Sequence, residues 1–185
     1  MAIESTGVAL SSTFYLRNFY KADMKAFKAS VRKDYTKNEL AYEDGLALKR
    51  AASKLSSYKY SDDENESNLK SGILAYADVY NNAIDSTSDN ENGDIAKYAK
   101  KLKKLATRYA DELEDIGITV DKKGKMKVNE NLIKSASLDD IKKVFGRESG
   151  FTSAAKSYAN ALSGHSKDAL YADLTGAGGN LNITL

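Results

Sequence analysis

Cysteine, proline and tryptophan are absent from the 185 residues, and histidine occurs once, at His165. Without thiols there is no disulfide, no thiolate nucleophile and no thiolate metal site, and one imidazole cannot build a multi-histidine centre. A Ser-His-Asp triad would have to use His165, which lies in Ser163-Gly164-His165-Ser166. That small, polar context reads as a solvated loop rather than a catalytic base. The apolar runs are only a few residues long, which excludes a membrane-spanning helix. Excess charge is missing too: 28 basic and 26 acidic residues leave a formal net charge of +2, so the whole chain has no nucleic-acid signature.

What remains is suited to helices. With no proline to interrupt them, helices are free to run long. Mean hydropathy is −0.52, but 42% of residues are hydrophobic, and twelve Tyr and five Phe supply bulky core material. A chain of this size can bury about 70% of its unfolded surface, enough for an independent core. Met1–Leu10 is mildly apolar, yet no Lys or Arg precedes it and no long hydrophobic stretch follows. The chain is therefore expected to be cytoplasmic, or exported by a route that cleaves nothing.

Apolar residues recur at steps of three and four. Leu16, Tyr20, Met24, Phe27 and Val31 predict a first amphipathic helix. Ala41, Leu48, Ala51, Leu55 and Tyr58 predict a second, capped by Thr36 or Asn38. An acidic connector, Ser61–Ser67, precedes a third stripe through Leu69, Ile73, Tyr76, Tyr80 and Ile84. Asp85–Asp94 reads as a loop. The fourth stripe, Ile95, Tyr98, Leu102, Leu105, Tyr109, Leu113 and Ile116, predicts one helix of about six turns. Its lysines come early and its acids late, against the preference of the helix dipole.

Beyond Ile116 the period falls to two. Ile118-Thr119-Val120 and Met126-Lys127-Val128 flank Asp121-Lys122-Lys123-Gly124, which predicts a hairpin with a type I turn and a left-handed bulge at Gly124. Ile118, Val120, Met126 and Val128 then share one face and lie on helices. A short helix near Asn131–Ser135 follows. Another is capped by Ser137 with Asp140 as its partner, buries Leu138, Ile141, Val144 and Phe145, and stops at Gly146. A last helix is expected from Thr152 to about Leu162, leaving a mobile, glycine-rich tail. The fold class is thus mainly α with a small β-hairpin (α+β), an antiparallel bundle of long amphipathic helices. No internal repeat marks a solenoid.

Chemical motifs are weak. Lys97, Lys101, Lys104 and Arg108 form a basic stripe suited to phosphates or to an acidic partner, though such stripes are more often the wet side of a helix. Ser88–Ile95 is oxygen-rich like a calcium loop, but its first place is Ser88 rather than Asp and its twelfth is Ala99 rather than Glu. Gly176–Gly179 lacks the Lys-Ser/Thr ending of a phosphate loop and reads as a flexible linker. Asp139/Asp140 and Glu112/Asp115 sit at a helix start or on an exposed face. No catalytic residue, cofactor or metal is expected.

One stretch resembles a known family. Leu113-Glu114-Asp115-Ile116-Gly117-Ile118, the Gly124 hairpin through Asn129, Leu132 and Asp140-Ile141-Lys142-Lys143-Val144-Phe145 resemble the C-terminal region of the bacterial flagellar filament-cap family, hook-associated protein 2. Tyr76-Ala77-Asp78-Val79-Tyr80-Asn81 resembles that family's Phe-Val-x-x-Tyr-Asn helix. The resemblance covers about residues 69–162 and implies a non-enzymatic, cysteine-free protein, exported through the flagellar channel, that assembles at a filament tip. It also implies packing roles for Ile116, Gly117, Ile118, Val120, Gly124, Met126, Val128, Val144 and Phe145. Family members usually carry inserted β-rich plates ahead of this region, for which the roughly 68 preceding residues leave no room.

The expected organisation is an N-terminal helical segment (1–68), a cap-like region of helices and hairpin (69–163) and a flexible tail (164–185), together forming one compact domain. Expected partners are proteins, either copies of this chain or flagellar axial proteins, in an extracellular assembly without a membrane span. The alternative is an intracellular adaptor or chaperone using the basic helix face.

Overall fold

Helical spacing becomes nine α-helices and one hairpin among the residues that this computed structural model describes, which are 11–22, 24–28, 32–60 and 66–178. In chain order these are α1 (Ser12–Phe19), α2 (Met24–Phe27), a 3-10 turn (Arg32–Asp34), α3 (Lys37–Ser56), α4 (Glu66–Ser88), α5 (Gly93–Arg108) and α6 (Ala110–Asp115). Next come β1 (Ile118–Val120), β2 (Met126–Val128), α7 (Glu130–Ser135), α8 (Leu138–Phe145) and α9 (Gly150–Gly178). The protein is mainly α with a small antiparallel hairpin. None of the helices is long and apolar enough to cross a membrane.

Helix α3 is the spine. Thr36 starts it with a full capping box: its hydroxyl accepts from the Glu39 amide at 3.2 Å, and its own amide donates to the Glu39 carboxylate at 2.7 Å. Ala41, Ala47, Leu48, Ala51 and Ala52 are fully buried, and α4 and α9 pack along this helix. Asn38 bonds Asp173 and Lys49 bonds Asn160, so α9 runs antiparallel to α3. The 68/69 boundary drawn in the sequence falls inside the start of α4, a helix that packs closely on α3.

The first apolar stripe does not become one helix. Helix α1 ends at Phe19, and Tyr20 turns inward to donate to the buried carboxylate of Asp44 at 2.9 Å. Arg32 grips the same carboxylate with two guanidinium bonds, at 2.8 and 2.6 Å, and a third goes to the Ala26 carbonyl. A continuous helix would hold Tyr20 and Arg32 about 18 Å apart along its axis. Their convergence on one carboxylate requires the chain to fold back. Tyr15 and Phe19 are consequently buried, whereas Leu16 is only half-buried; Val31 lies outside the described residues, and so does the side chain of Met24.

The fourth stripe is also divided. Helix α5 closes at Arg108, and after Tyr109 (φ −108°, ψ 24°) a new helix begins. Asp111 and Glu112 thereby fall in the first turn of α6, and Arg108 in the last turn of α5. Both placements suit the helix dipole, so the unfavourable charge order read from the sequence is relieved at the break, although Glu114 and Asp115 still end α6. The predicted loop at Asp85–Asp94 shrinks in the same way, because α4 continues to Ser88. The last helix is much longer than expected. Residues 164–178, assigned in the sequence to a flexible tail, extend α9, and Gly179–Leu185 lie outside the described residues, as do residues 61–65 of the acidic connector.

The pair of Arg32 and Asp44 dictates the first stability expectation. Asp44 is wholly buried, and removing its cation leaves an uncompensated charge. Arg32→Met should lower unfolding stability by about 3–5 kcal/mol, read as a shift of the urea midpoint at unchanged slope. Tyr20→Phe, which removes one neutral donor to Asp44 and the acceptor of the Asn82 amide, should cost less, about 1.5–3 kcal/mol. Equal midpoints for the two variants would show that the ion pair does not anchor the N-terminal segment.

Candidate partner surface and the hairpin unit

The hairpin is set by two glycines in the left-handed region, Gly117 (φ +83°) and Gly124 (φ +81°). Gly117 ends the chain's run through α6: its amide bonds the Glu114 carbonyl at 2.8 Å, while its carbonyl accepts from Asn129 at 2.8 Å and closes the base of the hairpin. A side chain there would place Cβ 2.5 Å from Cβ of Leu132. At the other end, Gly124 donates to the Asp121 carbonyl and Asp121 donates to the Lys125 carbonyl, both at 2.8 Å. This is the bonding of a type I turn followed by a left-handed bulge. The Asp121 carboxylate accepts from the Lys125 and Lys123 amides, which holds it below the usual carboxylate range.

Register pairs Ile118 with Val128, Thr119 with Lys127 and Val120 with Met126. Ile118 and Met126 are buried, Val120 and Val128 are partly buried, and Thr119 and Lys127 are exposed, so the four apolar residues do share the inner face.

Two contacts fix this hairpin to the helices. Asn81 on α4 acts as a short stretch of strand: its amide nitrogen donates to the Met126 carbonyl at 2.8 Å and its oxygen accepts from the Met126 amide at 2.8 Å. Gly124 lies directly on α5, where an added Cβ would meet Lys103 Cα at 2.9 Å. Lys125 adds an ion pair to Asp85 at 2.6 Å. Sequence reasoning singled out the hairpin residues but assigned no role to Asn81 or Lys103. The only available pointer was the Tyr80-Asn81 pair within the family-like helix.

Val144 and Phe145 belong to a different cluster. Phe145 stacks edge-on to Tyr76 with centroids 5.2 Å apart and meets Phe151 at 5.9 Å. The Val144 carbonyl accepts from the Thr152 hydroxyl at 2.9 Å and from the Ser149 hydroxyl, which joins α8 to α9. The expected packing residues therefore form two units, both attached to α4. Ser137 caps α8 as expected, although Asp140 bonds its hydroxyl (2.6 Å) rather than its backbone amide.

The basic stripe is already partly engaged. Lys97 pairs with Asp94 at 2.5 Å, which lowers the Asp94 carboxyl below its ordinary range. The Lys101 ammonium lies 4.8 Å from the Tyr98 ring centroid and 5.5 Å from that of Tyr158, in cation–π contact with both. Lys104 and Arg108 are exposed. His165 is not in a loop; it lies half-buried on α9, its ring 5.8 Å from Tyr98. Ser88 is likewise helical and Asn90 is buried, so the calcium-like segment is not one open loop. Among the described residues no three His, Asp or Glu side chains are grouped so as to hold a metal ion.

No protein-family model, curated protein or solved structure matches this chain.

The hairpin's attachment can be measured residue by residue. Ile118→Asp should cost several kcal/mol, because it places an unpaired charge at a fully buried position. Asn81→Ala should cost about 1–3 kcal/mol by stripping both partners from Met126. Hydrogen exchange of the Met126 amide should accelerate in Asn81→Ala and stay unchanged in Thr119→Ala. Slow exchange retained in Asn81→Ala would mean that the side chain does not hold the strand.

Proposed function

We propose that this chain is a non-catalytic structural protein that self-associates in an extracellular assembly of the flagellar-cap type. The observation that carries this reading is the fixed hairpin unit. The Leu113–Asn129 part of the stretch that resembles the filament-cap family is held as one piece, with Leu113, Ile116 and Ile118 buried, both glycines sterically required, and Asn81 of the family-like helix bonded to Met126. These positions serve packing, which suits a part that must keep its shape inside an assembly. The missing cysteine is what the resemblance to that family implies.

A second reading, an intracellular binding module, is favoured by the exposure of Lys104 and Arg108 on α5. Lys97 pairs with Asp94 at the surface, while Lys101 is itself exposed beside the Tyr98 and Tyr158 rings.

Export separates the two. In the native bacterium, an immunoblot of culture medium and sheared flagella should detect the protein in the parent strain and not in a strain lacking the flagellar export gate. A cytosolic marker and flagellin serve as controls. Retention inside both strains would reject the flagellar reading and leave the binding module.

A further inference from the structure

The exposed side of α5 and α6 carries an ordered charge pattern. From Lys100 to Asp115 the chain reads Lys-Lys-Leu-Lys-Lys-Leu-Ala-Thr-Arg-Tyr-Ala-Asp-Glu-Leu-Glu-Asp. Counted outward from the bond between Thr107 and Arg108, each lysine has a carboxylate at the same distance on the other side. Lys104 matches Asp111, Lys103 matches Glu112, Lys101 matches Glu114 and Lys100 matches Asp115. Leu102 and Leu113 match as well and are buried, whereas all eight charged residues are exposed. Tyr109 interrupts the helix but keeps its ladder, donating to Leu105 at 3.3 Å and accepting from Leu113 at 3.0 Å. Lys100, Lys104, Asp111 and Asp115 recur at steps of four, seven and four, so they lie along one side of the helix pair.

Among the described residues this pattern is left open. None of the eight forms an ion pair there, and the basic and acidic runs stand at least about 10 Å apart along the helix. Lys101 lies on the Tyr98 and Tyr158 rings and stays exposed. Lys143, the cation near Asp115, is already paired to Asp140 at 2.7 Å. The acidic residues 61–66 include no Lys or Arg that could meet the carboxylates. They join α4 at Glu66, about 21 Å along that helix from Tyr80, which bonds Leu102 among the lysines.

Opposite charges at mirrored positions are what an antiparallel two-fold contact between identical surfaces requires. We infer that two copies of this chain pair through α5 and α6 about a two-fold axis at Thr107 and Arg108, with Lys100 and Lys104 of each copy against Asp115 and Asp111 of the other. It rests on the self-association in the proposed function and specifies its surface. Parallel pairing in register would set lysine on lysine. An extended polyanion lying along the lysines would run on into the four carboxylates, whereas a second copy answers both runs at once. The paired stretch is about 24 Å long. No large apolar side chain is exposed along it, so charge fixes the orientation of the contact and salt weakens it.

Charge reversal tests the pairing from both sides. In sedimentation, a Lys100→Glu/Lys104→Glu chain and an Asp111→Lys/Asp115→Lys chain should each self-associate at least about tenfold more weakly than the parent, because like charges then face each other. Mixed in equal amounts, the two should associate as tightly as the parent, since every facing pair is again of opposite sign. A chain carrying all four substitutions should do so alone. If a reversed chain melts early, Lys104→Gln and Asp111→Asn, which only remove charge, should each weaken the contact in the same direction. Undiminished association in the reversed chains, or a loss that mixing does not repair, would overturn this contact but leave an assembling protein. A parent chain that stays monomeric at every concentration would remove both the contact and the self-association, while flagellar export would still be judged by the immunoblot.

Discussion

Close approach along α3 is the constraint on which the rest of the structure depends. Four alanines, Ala41, Ala47, Ala51 and Ala52, are fully buried on this helix, and α9 answers with buried Ala155, Ala159, Ser163 and Ser166. Short side chains on both partners let the two backbones run close together over several turns. The larger volume is supplied elsewhere, by Leu48 and Leu55 on α3 and by the Tyr76, Tyr80, Phe145 and Phe151 cluster. A chain with no disulfide must obtain its stability from such packing, and here the small residues determine where the large ones can meet.

Helix α4 distributes that order outward. Tyr76 points into the aromatic cluster beside α8 and α9, Tyr80 donates to the Leu102 carbonyl of α5 at 2.6 Å, Asn81 holds β2, and Asp85 pairs with Lys125. Within ten residues one helix fixes four neighbouring elements. The arrangement has a cost: the Tyr76 hydroxyl is fully buried without a hydrogen-bond partner among the described residues. An unsatisfied hydroxyl costs roughly 1–3 kcal/mol, offset here by burial of a large ring among three others.

Much of this was legible in the sequence where side chains are large and periodic. The stripes through Leu69–Ile84 and Ile95–Leu105, the Gly124 turn and the Ser137 cap all follow from spacing and local chemistry. What spacing could not show was where helices break without proline or glycine. The turn after Phe19 depends on Asp44, more than twenty residues away, and the break at Tyr109 leaves the apolar stripe intact while the charges reverse. That reversal was visible as an unfavourable dipole and was better evidence of a boundary than of a strained helix. The length of α9 was hidden for the opposite reason. Its buried residues past Leu162 are Ser163, Ser166 and Ala169, which carry almost no hydrophobic signal and gain their place only from α3.

The candidate site was legible in part for the same physical reason. Glycines forced to positive φ leave a local trace, so the hairpin could be found, whereas Asn81 acts forty-five residues from Met126 and leaves none. The basic stripe shows the converse. Its four cations look equivalent in sequence, yet Asp94 takes up Lys97, and Tyr98 with Tyr158 takes up Lys101. Cations already serving the fold are poorer bait for an acidic partner, because binding would first have to break those contacts.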